Sequence, residues 1–188
     1  LPADYQWTGP LGLLGPHQRR NAAVAHGILM ALPERYRPPR PEVEAGFAAA
    51  RVTGRFDRRG RWLFDVAHNP DGMAALVAAI KEADLPRPLH ALVSILGDKE
   101  WPEMLVRLDE VVDRGVLTIA PSAAGRRWDL AWLRRWLKSP NRPPARGEWS
   151  LVPEFGRALA EVQEGAGTIL VTGSFHTVGD VMQAVGLT

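Results

Sequence analysis

Short, unbroken apolar runs separated by amphipathic stretches constrain this chain more than any other feature. Leu92-Val93 and Ile169-Leu170-Val171 show no polar–apolar alternation, the pattern of strands covered on both faces. The same reading predicts strands over residues 62–66, 90–95, 116–120 and 168–172, with a further one at 148–151. Between and after them, helical spacing predicts helices over 71–83, 101–109, 130–137, 154–163 and 178–185. Strands of about five residues alternating with helices of about ten imply a parallel sheet. The expected fold class is therefore α/β, a mostly parallel sheet with helices on both faces.

The first residues read differently. Tyr5 to Trp7 could end a strand, and 17–32 is helical with small residues at Ala22, Ala23, Ala25 and Ala31 that permit close packing. Residues 33–41 hold four prolines and three arginines, a linker composition. The expected organisation is a non-autonomous segment 1–35, a Pro/Arg-rich linker 36–41 and a main domain 42–188. A short helix is expected over 42–50, an extended stretch leading to Gly54-Arg55, and a turn over 140–144.

Composition removes several function classes. Of 188 residues none is cysteine, so disulfides and thiolate metal sites are excluded. No apolar run reaches membrane-spanning length, and none resembles a signal segment, although the chain begins at Leu1. A cytoplasmic protein with no membrane partner is the matching expectation. The formal charge is only +2 with acids and bases interspersed. Trp128, Trp132 and Trp136 fall at i, i+4 and i+8 beside Arg134 and Arg135. That spacing reads as the buried stripe of an amphipathic helix rather than a nucleic-acid face.

Chemistry concentrates in three polar turns, each directly after an expected strand: Asp65 to Asn69, Gly97 to Lys99, and Gly173 to His176. A parallel sheet gathers its strand C-termini on one edge, where α/β domains bind nucleotides and anions. Asp65 could accept from ribose hydroxyls or hold an arginine such as Arg55. His68 could meet a phosphate, a ribose or a substrate carboxylate, or simply pack. Asn69 before Pro70 suits a helix N-cap. Gly97 and Gly173 fit tight turns whose amides approach a ligand. Lys99 could neutralise an anion or lie solvated. Ser174 could donate to an anion or cap the last helix, and His176 could be partly buried. No ligand spacing supports a metal trio of Asp65, His68 and His176. Gly-x-Ser-x-Gly, Gly-x-Gly-x-x-Gly and any Gly-Lys pair are absent, so neither a hydrolase elbow nor a Walker loop is present.

Taken together, Leu14-Gly15-Pro16-His17-Gln18-Arg19-Arg20-Asn21-Ala22-Ala23, Gly54-Arg55, Asp65-Val66-Ala67-His68-Asn69-Pro70, Gly97-Asp98-Lys99 and Thr172-Gly173-Ser174-Phe175-His176-Thr177-Val178-Gly179 resemble the bacterial dihydrofolate synthase/folylpolyglutamate synthases of the Mur ligase superfamily. The resemblance covers the C-terminal part of such enzymes. It implies that 1–35 closes a central ATPase domain and that 42–188 is a Rossmann-like ligase domain. The P-loop, the magnesium ligands and a carbamylated lysine would belong to a preceding ATPase domain, the partner over which this one closes about the 36–41 linker. ATP and Mg2+ are the implied cofactors; L-glutamate and dihydropteroate or folate are the implied substrates. By resemblance Asn21 contacts the adenine side of ATP, Arg55 and Asp65 are the nucleotide contacts of this domain, and His68 and Ser174 are the catalytic candidates. The reaction implied is phosphorylation of a substrate carboxylate followed by attack of the glutamate amine. Two departures stand out: Thr53 replaces the family's proline before Gly54-Arg55, and the segment 55–65 is a few residues short, which could shift the Arg55 guanidinium. Another Mur-type amino-acid ligase, or a non-catalytic nucleotide-binding module, are the alternative readings.

Overall fold

The computed structural model describes residues 5–140, 143 and 145–187; the turn expected over 140–144 falls largely outside them. Six strands form one sheet: β1 Asp57–Arg59, β2 Trp62–Phe64, β3 Leu89–Val93, β4 Arg114–Leu117, β5 Glu148–Leu151 and β6 Thr168–Thr172. Their order across the sheet is β1-β2-β6-β3-β4-β5. Every neighbouring pair is parallel except the β1–β2 hairpin. The sheet is thus mostly parallel, as the apolar runs predict.

Helices α3 Pro70–Glu82, α4 Trp101–Asp109, α5 Leu130–Leu137, α6 Phe155–Gln163 and α7 Phe175–Ala184 alternate with the strands or follow the last one. The pleat sends successive side chains to opposite faces. Leu89, Ala91, Val93 and Leu170 enter one core with α3, α4 and Leu133 of α5. Leu92, Ile169 and Val171 enter the other with α6 and α7. Burying a leucine or valine this completely is worth about 1.5–3 kcal/mol, and both faces of β3 and β6 collect it. That is why these strands carry no polar alternation.

Three elements differ from expectation. Tyr5–Trp7 is not a strand; the Trp7 amide instead donates to the Arg19 carbonyl (3.1 Å). Strand β1 went unrecognised because Asp-Arg-Arg is an edge strand with no apolar side chain to bury. The tryptophan stripe is only partly on a helix. Trp128 precedes α5 and is buried, whereas Trp132 is 44% exposed. All three rings pack edge-on around Trp101, at 6.1, 4.4 and 5.5 Å between centroids.

Before the sheet come α1 Pro16–Ala31, a 3-10 turn Glu34–Tyr36 and α2 Arg40–Ala49. Prolines at N1 or N2 start both helices, where their missing N–H costs nothing. Residues 34–36 and 40–41, read as linker, are therefore helical. Trp7, Ala22, Ala23 and Val43 form a separate small core with Phe47, so α2 packs on the N-terminal segment.

Candidate functional site

The turn after β2 is built around a buried carboxylate. Asp65 is 9% exposed. One of its oxygens accepts from the Ala67 amide and the other from the Phe56 amide, each at 2.9 Å. Phe56 has φ 49°, a left-handed conformation costly for an aromatic residue. Asp65 thus pins the strained entry to the β1–β2 hairpin, the segment that carries Arg55. Burial raises the Asp65 pKa; the Phe56 and Ala67 amides, then Arg55 and His17, pull it back.

His68 is oriented by the same turn. Its Nδ1 lies 2.9 Å from the Val66 carbonyl. A carbonyl only accepts, so Nδ1 carries a hydrogen and Nε2 is the ring nitrogen turned away from this bond. The ring lies 5.6 Å from that of Phe175 at the start of α7, and the Arg55 guanidinium sits 6.0 Å from the same ring. Phe175 is 61% exposed and forms an apolar shoulder beside both. Asn69 caps α3 by accepting from the Gly72 amide at 2.7 Å, as its place before Pro70 predicts.

A cavity of about 340 Å³ opens here, lined by Arg55, Asp65, His68, Asn69, Gly72 and, from α1, His17. His17 is the residue that sequence reasoning left out of the site. Gly15, at φ 104°, makes room for it: a Cβ there would lie 2.8 Å from the His17 ring. Loss of hydration lowers the His17 pKa, with Arg55 adding to this and Asp65 opposing it. The imidazole therefore tends to its neutral form between a carboxylate and a guanidinium. The signal was the Gly-Pro-His start of a helix, which sets the His side chain at a helix N-terminus.

Arg55, Asp65 and His68 are thus brought together, whatever the length of the 55–65 segment. Other candidates are placed elsewhere. Ser174 is 2% exposed; its Oγ donates to the Ser94 carbonyl (3.1 Å) and accepts from the Thr177 amide (3.1 Å). It caps α7 and does not line the cavity. Asn21 lies exposed on α1, its Nδ2 donating to Gln18 Oε1 at 3.1 Å. Lys99 pairs with Asp98 (3.5 Å), which also holds Arg126 (2.8 Å). His176 meets Ser122 Oγ at 2.9 Å.

The two glycines expected to admit a ligand admit backbone instead. A Cβ on Gly173 (φ 106°) would lie 2.7 Å from the Ser94 carbonyl, and one on Gly97 2.7 Å from that of Arg127. Among the described residues no three His, Asp or Glu side chains group as a metal site, and no helix is long and apolar enough to cross a membrane.

The chain is similar to known proteins in sequence and in fold. The family model described as Mur ligase, glutamate ligase domain, matches residues 52–175. The dihydrofolate synthase/folylpolyglutamate synthase of Escherichia coli is 30% identical over 146 residues, covering 76% of this chain and 33% of that protein. Among solved structures, E. coli FolC in complex with DHPP and ADP superposes with TM-score 0.74 at 27% identity, over 93% of this chain and 40% of that one. The Mycobacterium tuberculosis folylpolyglutamate synthase complexed with ADP gives 0.74 at 28% identity, over 94% and 41%. The Yersinia pestis bifunctional folylpolyglutamate synthase/dihydrofolate synthase complexed with AMPPNP and a manganese ion gives 0.73 at 28% over 98% and 43%. The chain therefore spans well under half the length of these relatives.

Proposed function

The chain belongs to the Mur ligase family through its glutamate ligase domain, and from that premise we propose that it is the C-terminal portion of an ATP-dependent amide ligase. The ligase joins L-glutamate to dihydropteroate, to folates or to both. In this reading residues 1–35 close a preceding ATPase domain, 36–41 serve as the hinge, and 42–188 form the domain that closes over it in the cytoplasm of a bacterial cell. The observation that carries the reading is the single cavity shared by His17, Arg55, Asp65 and His68.

The donor set suits a nucleotide. Asp65, with two amides already on its carboxylate, fixes the hairpin and leaves lone pairs for ribose hydroxyls. The Arg55 guanidinium supplies charge where phosphate oxygens would lie. Asn21, in the segment read as the close of the ATPase domain, is assigned to the adenine side. In the reaction a substrate carboxylate oxygen attacks the γ-phosphorus, the bond to ADP breaks, and an acyl phosphate results. The glutamate amine then attacks the acyl carbon and inorganic phosphate leaves with the bonding electrons. In this reading His68 Nε2 takes the ammonium proton, Nδ1 being committed to the Val66 carbonyl. Ser174 contributes through the position of α7, and with it Phe175, rather than through its hydroxyl. Magnesium, held by the ATPase domain, would neutralise phosphate charge; no step is assigned to it on this chain.

The test is ATP-dependent incorporation of labelled glutamate by the full-length protein. Dihydropteroate, folate monoglutamate and a muramyl precursor are offered separately. Incorporation into either of the first two, and none by residues 1–188 alone, is the expected result. Incorporation into the muramyl precursor only would replace the folate reading with a cell-wall one.

A further inference from the structure

Arg55 lines two cavities, the one described above and a larger one of about 500 Å³ that is also bordered by the loop 11–14, the end of α2 and strand β1. Its side chain is exposed, so the place of the guanidinium depends on the backbone beneath it. Three consecutive peptide units carry that backbone, and each is held. In the middle unit the Gly54 carbonyl accepts from the Val66 amide (2.8 Å) and the Arg55 amide donates to the Val52 carbonyl (3.0 Å). The outer two hang on side chains. The Phe56 amide donates to Asp65 Oδ2 (2.9 Å), and the Gly54 amide to Asp57 Oδ2 (3.2 Å). Gly54 is left-handed, at φ 71°. Glycine changes φ at little cost, so the direction in which the chain leaves Gly54 for Arg55 needs the Asp57 contact to define it.

Asp57 is itself anchored. Arg59 lies two residues along β1, on the same side of the strand, and grips it with two parallel bonds: Nε to Oδ1 at 3.2 Å and Nη2 to Oδ2 at 3.0 Å. Such a bidentate pair fixes geometry as well as charge, and the side chains are only 18% (Asp57) and 30% (Arg59) exposed. The remaining terminal nitrogen, Nη1, donates to the carbonyl of Leu187, just beyond α7. At its other end α7 begins with Phe175, whose ring lies 6.0 Å from the Arg55 guanidinium. The hairpin therefore meets α7 twice, through Arg55 at the start and through Arg59 past the end. An edge strand without apolar side chains is held to the domain by this polar chain.

We propose that Asp57 is a positioning residue for Arg55: anchored by Arg59 to the end of α7, its carboxylate holds the Gly54 peptide and so aims the Arg55 guanidinium. That the aimed group meets a nucleotide rests on the ligase reading above; that Asp57 holds it does not. Asp57 touches no ligand in this scheme and acts only through Arg55. Asp65 secures the peptide after Arg55 and Asp57 the peptide before it, so loss of either carboxylate releases one side of the same residue.

The test has two arms. In the 188-residue chain, residue-resolved amide exchange compares wild type with Asp57→Ala, and with Asp57→Asn should the first fail to fold; thermal melts report folding. The Arg55 and Phe56 amides, which Asp57 does not itself bond, should exchange about tenfold faster in Asp57→Ala. Unchanged exchange at both in a folded variant overturns the proposal. In the full-length protein, ADP affinity is measured by calorimetry in a double-mutant cycle with Arg55→Ala. Asp57→Ala should weaken ADP about tenfold and Asp57→Asn, which keeps one acceptor, about threefold. In the Arg55→Ala background Asp57→Ala should change ADP affinity by no more than about twofold. Additive losses, or a lowered melting temperature with ADP affinity intact, would make Asp57 a stabilising residue only and overturn the proposal. If Arg55→Ala alone leaves ADP affinity unchanged, the nucleotide reading of Arg55 fails while the exchange arm still decides whether Asp57 holds it, so the two failures are separable.

Discussion

The turns after β2 and β6 look alike and do different things. Each leaves a parallel strand, carries a small polar residue at the helix N-cap, and lies on the same edge of the sheet. Asn69 caps α3 and Ser174 caps α7. At the β6 turn, however, polar capacity is used up inside the fold: Ser174 and Thr177 both donate to the Ser94 carbonyl and both are buried. At the β2 turn Asp65 is satisfied by two amides while His68 Nε2 and the Arg55 guanidinium stay available. What separates a site from a joint on this edge is the hydrogen-bonding capacity left after the backbone has been served.

The sharpest way to break that contrast is Asp65→Ala in the full-length protein. Two backbone amides lose their acceptor and the left-handed Phe56 loses its anchor, so Arg55 drifts. ATP-dependent turnover should fall about 100-fold, read by steady-state kinetics; near-wild-type rates would detach Asp65 from the site. Ser174→Ala comes next and tests the other turn. It should cost about 1–2 kcal/mol in urea unfolding while leaving the KM for glutamate within about twofold. A large KM increase without loss of stability would mean the hydroxyl meets substrate.

A smaller effect is expected from His17→Gln: the KM for ATP should rise about three- to tenfold with kcat little changed, one lost polar contact. An unchanged KM would return His17 to a structural role. The smallest effect serves as a control at the opposite edge of the sheet. His90 is buried on β3; desolvation first, then Arg114 and Arg61, lower its pKa against the Ala166 carbonyl and Asp113. The unfolded chain therefore binds its proton at higher pH than the fold does. Stability should decline as pH falls below about 6.5, at no more than about 1.4 kcal/mol per pH unit from this group. His90→Phe should flatten that limb in pH-dependent melts, and an unaltered profile would assign the acid sensitivity to other groups.

Much of this was legible in the chain, for identifiable reasons. Strands β3 and β6 are covered twice, so their apolar runs announced both themselves and the parallel sheet. The β2 turn was legible because Asp, His and Asn within five residues exceed what a cap requires. Strand β1 was not, since an edge strand of Asp-Arg-Arg has no burial pattern to read. Nor was the division of labour between the two turns. A serine that caps and a serine that binds substrate are the same letter, and only the Ser94 carbonyl, eighty positions away, tells them apart. His17 escaped for a related reason: its role depends on α1 lying beside α3, a tertiary fact. Asn21, on the exposed side of α1, is assigned by family likeness alone.

Arg55 borders two chambers and hangs from a hairpin held by two carboxylates. Neither chamber can then be reshaped in isolation: a substitution that moves Arg55 alters the lining of both.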